Sequence, residues 1–156
     1  MTKAEAALLA LRDLAATVRT VNGYATDAGV RVELSPFYSE MGDADEYLTL
    51  VYESSDLALD GKDLDGAMRS YQMEAVYHID AHVRPDAGRE AQQYARLKGD
   101  MRRAVLSLIG SRLRYDGAEI GSARYRGAAL IPEARDAGII GVRTTVAVRY
   151  TETVTH

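Results

Sequence analysis

Apolar and polar residues alternate with two different periods along the chain, and these periods predict its elements. Apolar residues recur every three or four positions in 3–20 and 87–109, which predicts two amphipathic helices. Alternation with period two predicts five strands, in the ranges 29–34, 46–53, 71–84, 118–131 and 138–150. The order α-β-β-β-α-β-β predicts an α+β fold, a largely antiparallel sheet with two helices packed on one face.

Residues 54–70 interrupt this pattern. They are polar, contain two glycines and four aspartates, and show no sustained alternation. Such a composition is typical of loops, and loops longer than about 12–15 residues tend to be functional. We therefore predict one domain over 1–156, with a flexible loop at about 54–70 that binds a partner and becomes ordered on assembly.

Charge and composition narrow the classes of partner. The net charge is −4, so direct binding to nucleic acid is not expected, and the basic pair Arg124 and Arg126 is interpreted as a strand face for an acidic partner protein. The chain has no cysteine, which excludes disulfides, cysteine-ligated zinc and thiol nucleophiles. The apolar run near the start ends at Arg12 and Asp13, too early for a signal peptide or a membrane span. A soluble, cytoplasmic protein that does not bind membranes is expected.

Arginine is strongly preferred over lysine, with 16 Arg against 3 Lys, and the aromatic residues are ten Tyr and one Phe. A GC-rich genome is one explanation of the arginine preference. The other is that arginine and tyrosine are favoured where proteins contact each other. The second explanation predicts a protein–protein interface.

The pattern H-x-D-x-H, formed by His78, Asp80 and His82, is the best candidate for chemistry. Alternate strand residues are about 6.6 Å apart at the backbone, and His78 and His82 about 13 Å. Metal–histidine bonds are only about 2 Å long, so one strand offers an adjacent pair to an ion but not all three side chains. No metal or other cofactor is therefore predicted. The alternative, a small metal-dependent enzyme or ligand-binding domain using His78, Asp80 and a distant carboxylate, stays open.

We interpret the polar face of strand 71–84 and the arginines of the last strand as a subunit or partner interface. The predicted interface residues are Glu74, His78, His82, Arg84, Arg143 and Arg149. Charge pairs across such an interface set register and partner choice. Substitution of Arg143 and Arg149 by Glu is then expected to leave the subunit folded and to block assembly.

Several segments resemble one protein family. The turn N-G-Y-x-T-D-x-G is formed by Asn22, Gly23, Tyr24, Thr26, Asp27 and Gly29. A strand ending near Pro85, a long helix containing "KGDMRRAV" and a final strand "VRTTVAVRYTE" follow. This layout resembles the tail terminator (minor tail, tail-completion) proteins of long-tailed bacteriophages, of the lambda minor tail protein U type.

The resemblance implies a virion structural protein and no enzyme. Its members are α+β subunits that form a hexameric ring on the end of the tail tube, stop its polymerisation and provide the head-joining surface. The implied partners are other copies of the chain, the tail tube protein and the head–tail connector protein. The implied location is the host cytoplasm during assembly and then the virion tail. Another neck or head–tail joining component, from a phage or a prophage, is the alternative within this class.

Overall fold

The computed structural model describes residues 1–37, 41, 46–64, 66 and 68–155. In these residues it has three α-helices: α1 (Lys3–Ala16), α2 (Glu90–Leu106) and α3 (Pro132–Asp136). It also has six strands: β1 (Val32–Leu34), β2 (Tyr47–Asp63), β3 (Met68–Val83), β4 (Arg112–Tyr115), β5 (Ala118–Leu130) and β6 (Ile140–Thr155).

The strands form one sheet in the order β1-β2-β3-β6-β5-β4. β1 and β2 are parallel, and every other neighbouring pair is antiparallel. The predicted combination of helices with a sheet is confirmed, but the sheet is mixed. The prediction of two helices packed on one face of the sheet is not confirmed, because the fold contains a third helix, α3. Both α3 and β4 escaped prediction because elements of four or five residues are too short to show a period.

The main core lies between the sheet and the two long helices. Its buried members from α1, α2 and the sheet include Leu11, Leu97, Met101, Tyr77 and Val148. The alternation along 71–84 predicts that Tyr77 points inward, and the structure confirms this. The Tyr77 side chain is fully buried, and its hydroxyl donates a hydrogen bond of 3.0 Å to the Ala4 carbonyl of α1. This bond satisfies the one polar atom that Tyr77 carries into the core.

The turn that carries the family resemblance is held by Asp100 of α2, which is buried. Its carboxylate accepts hydrogen bonds from the Ala25 N–H (3.1 Å) and from the N–H and hydroxyl of Thr26 (2.7 Å each). Gly29 lies so close to the end of α1 that an added Cβ would be 2.5 Å from the Ala15 carbonyl oxygen. Thr26 and Gly29 are therefore required by the packing of the turn against the two helices.

The short helix α3 packs on the sheet face opposite the main core. Gly141 of β6 is aligned with His82 of β3, and an added Cβ at Gly141 would lie 2.8 Å from the Ala134 Cβ of α3. A second, small apolar cluster contains Leu48 and Leu50 of β2, which point to the same face. Part of the predicted polar face is thus covered by protein.

The prediction of a flexible loop at 54–70 is wrong for most of that range. Residues 54–63 continue β2 and residues 68–70 begin β3, in one long antiparallel hairpin; Asp65 and Ala67 lie outside the described residues. β2 contains two register shifts against β3, one between Glu53 and Ser55 and one between Ala58 and Asp60, and each adds one extra residue to β2. Each extra residue reverses the alternation of faces, so the strand lacks the period that would identify it.

Candidate interaction surface

Three strands extend beyond the body of the protein as one projection. We call the projection the arm and define it as residues 53–63 of β2, 68–74 of β3 and 151–155 of β6. No residue in these ranges is buried, whereas most residues in the other parts of the same strands are. Ten residue steps at about 3.3 Å give the arm a length of roughly 30 Å.

Both outer edges of the arm lack a partner strand among the described residues. β1 pairs with β2 only as far as Val51, and β5 pairs with β6 only as far as Arg149. The two register shifts described above lie on the β2 edge. Such bulges twist an edge and limit indiscriminate pairing with other strands. The two edges are therefore available for pairing, and they differ from each other.

Apolar side chains also remain exposed on the arm. Leu57 is the most exposed of them, at 61% of its surface, and the others are Leu59, Met68 and Val154. A narrow ribbon of strands is marginally stable in water unless a further element or partner covers it. The arm therefore combines exposed apolar side chains with two edges that have no partner strand among the described residues.

The predicted interface residues of the body lie elsewhere and have hydrogen-bond partners within the subunit. Asp80 is 5% exposed and accepts two hydrogen bonds from Arg143, each 3.0 Å long. It accepts a third, of 2.9 Å, from the Tyr52 hydroxyl. Burial, together with the Asp80 charge, raises the pKa of Tyr52 to about 12. The hydrogen bond to Asp80 raises the pKa of Arg143, so the guanidinium stays charged at neutral pH.

His78 extends this cluster towards the solvent. Its Nδ1 lies 3.2 Å from the Tyr52 hydroxyl oxygen, and the two rings meet edge to face at 5.3 Å between centroids. Because the Tyr52 hydrogen is donated to Asp80, Nδ1 of His78 must carry the hydrogen that Tyr52 accepts. Burial, and then the charge of Arg143, lowers the pKa of His78. The imidazole is therefore neutral at pH 7.

His82 was predicted on an exposed face, and this is wrong. The side chain is only 3% exposed, since α3 and the Leu48–Leu50 segment cover this end of β3. Its Nδ1 lies 3.0 Å from the Leu48 carbonyl oxygen and must donate to it, because a carbonyl only accepts. Burial lowers the pKa of His82, and the hydrogen bond to Leu48 opposes this shift.

Glu74, Arg149 and Arg84 also have partners within the subunit. Glu74 accepts a hydrogen bond of 2.7 Å from Arg149, and Arg126 lies 3.6 Å away. The bond from Arg149 lowers the pKa of Glu74. Arg84 donates to the Met41 carbonyl at 3.0 Å. Of the six predicted residues, Glu74 and Arg149 alone lie where the body meets the arm.

These contacts change what the substitution of both Arg143 and Arg149 by Glu would test. Glu at position 143 would place two carboxylates against each other, because Asp80 is buried beside it. Glu at position 149 would do the same with Glu74. The double variant therefore tests folding of the subunit before it tests assembly.

The part of the chain that the structure describes contains no group of three or more His, Asp or Glu side chains placed to hold a metal ion. The carboxylate oxygens of Asp80 are bonded to Arg143 and Tyr52. His156, the remaining histidine, lies outside the described residues. The H-x-D-x-H pattern is used here for hydrogen bonds within the sheet.

One concave surface was missed from sequence. An apolar groove of about 590 Å³ lies between the start of α2 and the segment after α3, and is lined by Tyr94, Leu130, Arg135, Ile139 and Ile140. The groove depends on α3, which was not predicted. Pro132 at the first helical position and Gly138 after the last turn were the available signals for that helix.

No family model matches the chain, and no curated protein matches it. Among the helices of the described residues, none combines the length and the apolar character that crossing a membrane requires.

Proposed function

We propose that the chain is a virion structural protein of the tail-terminator type, which assembles as a ring on the end of a phage tail tube and offers the head-joining surface. The observation that carries the proposal is the arm, whose two edges belong to different strands and have no partner strand in the described part of the chain. The resemblance in the 18–34 turn, the α2 segment and the last strand supports the same class. The partners are then other copies of the chain, the tail tube protein and a head–tail connector protein.

Edges of two different strands favour a ring over a dimer. Pairing of the β2 edge of one copy with the β6 edge of the next uses two different surfaces, so it is repeated from copy to copy. The repeated contact gives a closed ring when the rotations between successive copies add up to a full turn. β2 and β6 both run antiparallel to β3, so they have the same direction. In a ring whose axis runs along these strands, rotation preserves that direction, and the new contact is a parallel pair.

Gene inactivation in the phage or prophage that carries the chain tests the proposal. A terminator stops tube polymerisation, so its loss should give tails of uncontrolled length by electron microscopy. A neck or head–tail joining component should instead give tails of normal length that lack heads. Normal tails joined to heads would contradict both assignments.

Shortening the arm tests whether the arm forms the ring. Asp56 and Ala75 are aligned partners in β2 and β3, so Asn-Gly can replace residues 57–74 as a two-residue turn. We expect this variant to retain the circular dichroism of the body and to lose ring formation. The matched control is a Leu57→Ser variant with the full arm, which should keep both edges.

A further inference from the structure

The outer edge of β6 contains a positively charged notch. It lies where β5 stops pairing with β6, measures about 540 Å³, and is lined in part by Lys3, Arg124, Arg149 and Thr151. Lys3 of α1 reaches this edge, and its Nζ donates a hydrogen bond of 2.8 Å to the Thr151 carbonyl. The notch therefore combines an open strand edge with side chains from both faces of the sheet.

Cations outnumber anions around the notch. Arg149 and Arg126 share the single carboxylate of Glu74, at 2.7 and 3.6 Å. Glu119, which also lines the notch, lies 3.5 Å from Arg112. Arg124 is exposed and forms no ion pair with a described side chain, although its charge also helps to lower the pKa of Glu74. Lys3 and the three arginines thus outnumber the carboxylate of Glu74 and that of Glu152, which lies near Tyr150.

The free edge of β2 has the opposite charge. Residues 53–63 contain four carboxylates against one lysine: Glu53, Asp56, Asp60 and Asp63 against Lys62. Burial, and then the nearby charge of Asp56, raises the pKa of Glu53. The negative charges of Glu53 and Asp56 therefore repel each other.

The charges on both edges are divided between the two faces of the sheet. Asp56 is aligned with Ala75, which is buried in the main core, so Asp56 points to the side of the helices. Lys3 reaches its edge from α1 on that side. Asp60 is aligned with Gln72 and points to the other side, as Arg124 does beside Ala147.

The carboxylates and the notch also lie at one level of the sheet. Through β3, Asp56 is aligned with Val148 and Asp60 with Thr151 of β6. The notch is lined by Arg149 and Thr151, in the same stretch of β6. In a ring whose axis runs along these strands, rotation moves a strand sideways without changing its height, so the β2 edge of one copy arrives at the level of the notch of the next.

We propose that the notch on β6 binds the acidic outer edge of β2 from a second copy of the chain, with Asp56 facing Lys3 and Asp60 facing Arg124. This inference rests on the proposed ring and names the contact that closes it. Two β2 edges repel each other because both are acidic, and two notches repel because both are basic. Only the unlike edges attract, and pairing of unlike edges leads to a ring.

Charge exchange tests the inference with side chains that form no ion pair within the subunit. One variant carries Lys3→Glu and Arg124→Glu, a second carries Asp56→Lys and Asp60→Lys, and a third carries all four substitutions. Sedimentation velocity over a range of concentrations and salt measures association, and circular dichroism checks folding. The control is Arg12→Glu with Asp13→Lys, a charge exchange on α1 outside the proposed contact.

We expect each double variant to associate about a hundredfold more weakly than the natural chain. The fourfold variant, and an equal mixture of the two double variants, should recover association. Double variants that associate as tightly as the natural chain, or a fourfold variant that does not recover, would overturn the inference.

Weak association is captured by cross-linking, because the chain has no cysteine of its own. Asp60→Cys and Arg124→Cys chains are mixed and oxidised at high concentration. The mixture should give the mixed disulfide in large excess over either homodimer. Failure to form it, in a mixture that also sediments as monomer, overturns the inference.

The outcomes separate this contact from the proposed function. Tails of uncontrolled length after gene inactivation, with charge variants that associate normally, would keep the terminator and reject the contact. Charge-dependent association with tails of normal length would keep the contact and reject the terminator.

Discussion

β2, β3 and β6 each contribute to two regions with opposite properties. In the body, the strands have helices on one face and α3 on part of the other, and most of their side chains are buried. In the arm, the same three strands continue with no residue buried and with both edges open. Backbone hydrogen bonds between strands are therefore enough to extend a sheet beyond the core. The burial of apolar side chains determines which part of the sheet is stable without a partner.

Tyr77→Ala should give the largest loss of stability and is matched by Tyr71→Ala on the same face of β3. Tyr77 is fully buried, so its removal leaves a cavity and should cost about 3–5 kcal/mol. Tyr71 is partly exposed beneath the Arg69 guanidinium, 5.2 Å from its ring centroid, and should cost about 1 kcal/mol. Urea unfolding measures both. Equal losses would show that the arm is as well packed as the body.

A second pair of variants compares ion pairs in the two regions. Asp80→Asn leaves Arg143 without its counter-ion in a buried cluster and should cost about 2–3 kcal/mol. Glu74→Gln removes a more exposed pair with Arg149 and should cost less than about 1 kcal/mol. Thermal unfolding at neutral pH gives both values. A larger loss for Glu74→Gln would reverse the ranking by burial.

Acid should destabilise the body before the arm. The folded-state pKa values of His78 and His82 are lowered, so the unfolded chain takes up protons first as the pH falls below about 6.5. Above that pH the histidines' contribution to the free energy of unfolding is fully present. Below it, the free energy of unfolding should fall by at most about 1.4 kcal/mol per pH unit for each histidine. Urea midpoints at several pH values measure this, and His78→Gln should reduce the slope.

Glu74 should add its own loss at lower pH. Its folded-state pKa is also lowered, so its contribution is present above the ordinary glutamate value near 4.5 and is lost as the pH falls through the folded value. Glu74→Gln should remove the second loss and leave the histidine-dependent one. A single transition that neither variant changes would contradict both assignments.

Leu57→Ala should have the smallest effect. The side chain is exposed in the arm, so the free energy of unfolding of the single subunit should change by less than about 0.5 kcal/mol. Leu50→Ala, in the buried part of the same strand, is the control and should cost about 2–5 kcal/mol. A large loss for Leu57→Ala in dilute protein would mean that the arm folds against the body.

Residues with a regular period were predicted well. The alternation from Tyr71 to Val83 correctly identified the inward-facing side chains, because no bulge disturbs β3 against β6. The prediction failed at 54–63, where two extra residues in β2 reverse the faces and polar side chains hide a strand. Pairing with β3 stabilises this segment, and single-sequence patterns do not contain that partner.

The candidate surface was harder to predict than the fold. His78, Asp80 and His82 were correctly placed on one face of their strand, since strand periodicity determines the face. The burial of Asp80 and His82 was not predicted, because α3 and the small Leu48–Leu50 cluster on this face lie far away in sequence or are too short to show a pattern. Lys3 and Arg124 meet at the β6 edge only through the packing of α1 on the sheet.

The ladder between β3 and β6 runs without a register shift from Met68 and Thr155 at the tip to Val83 and Ile140 in the body. The ladder between β2 and β3 contains two shifts in the arm. The regular β3–β6 ladder therefore resists bending, whereas the bulged strand β2 beside it deforms first when a force acts on the arm. A push on the tip should bend the arm on its β2 side, and the force should pass along β6 to α1 through the Lys3–Thr151 bond.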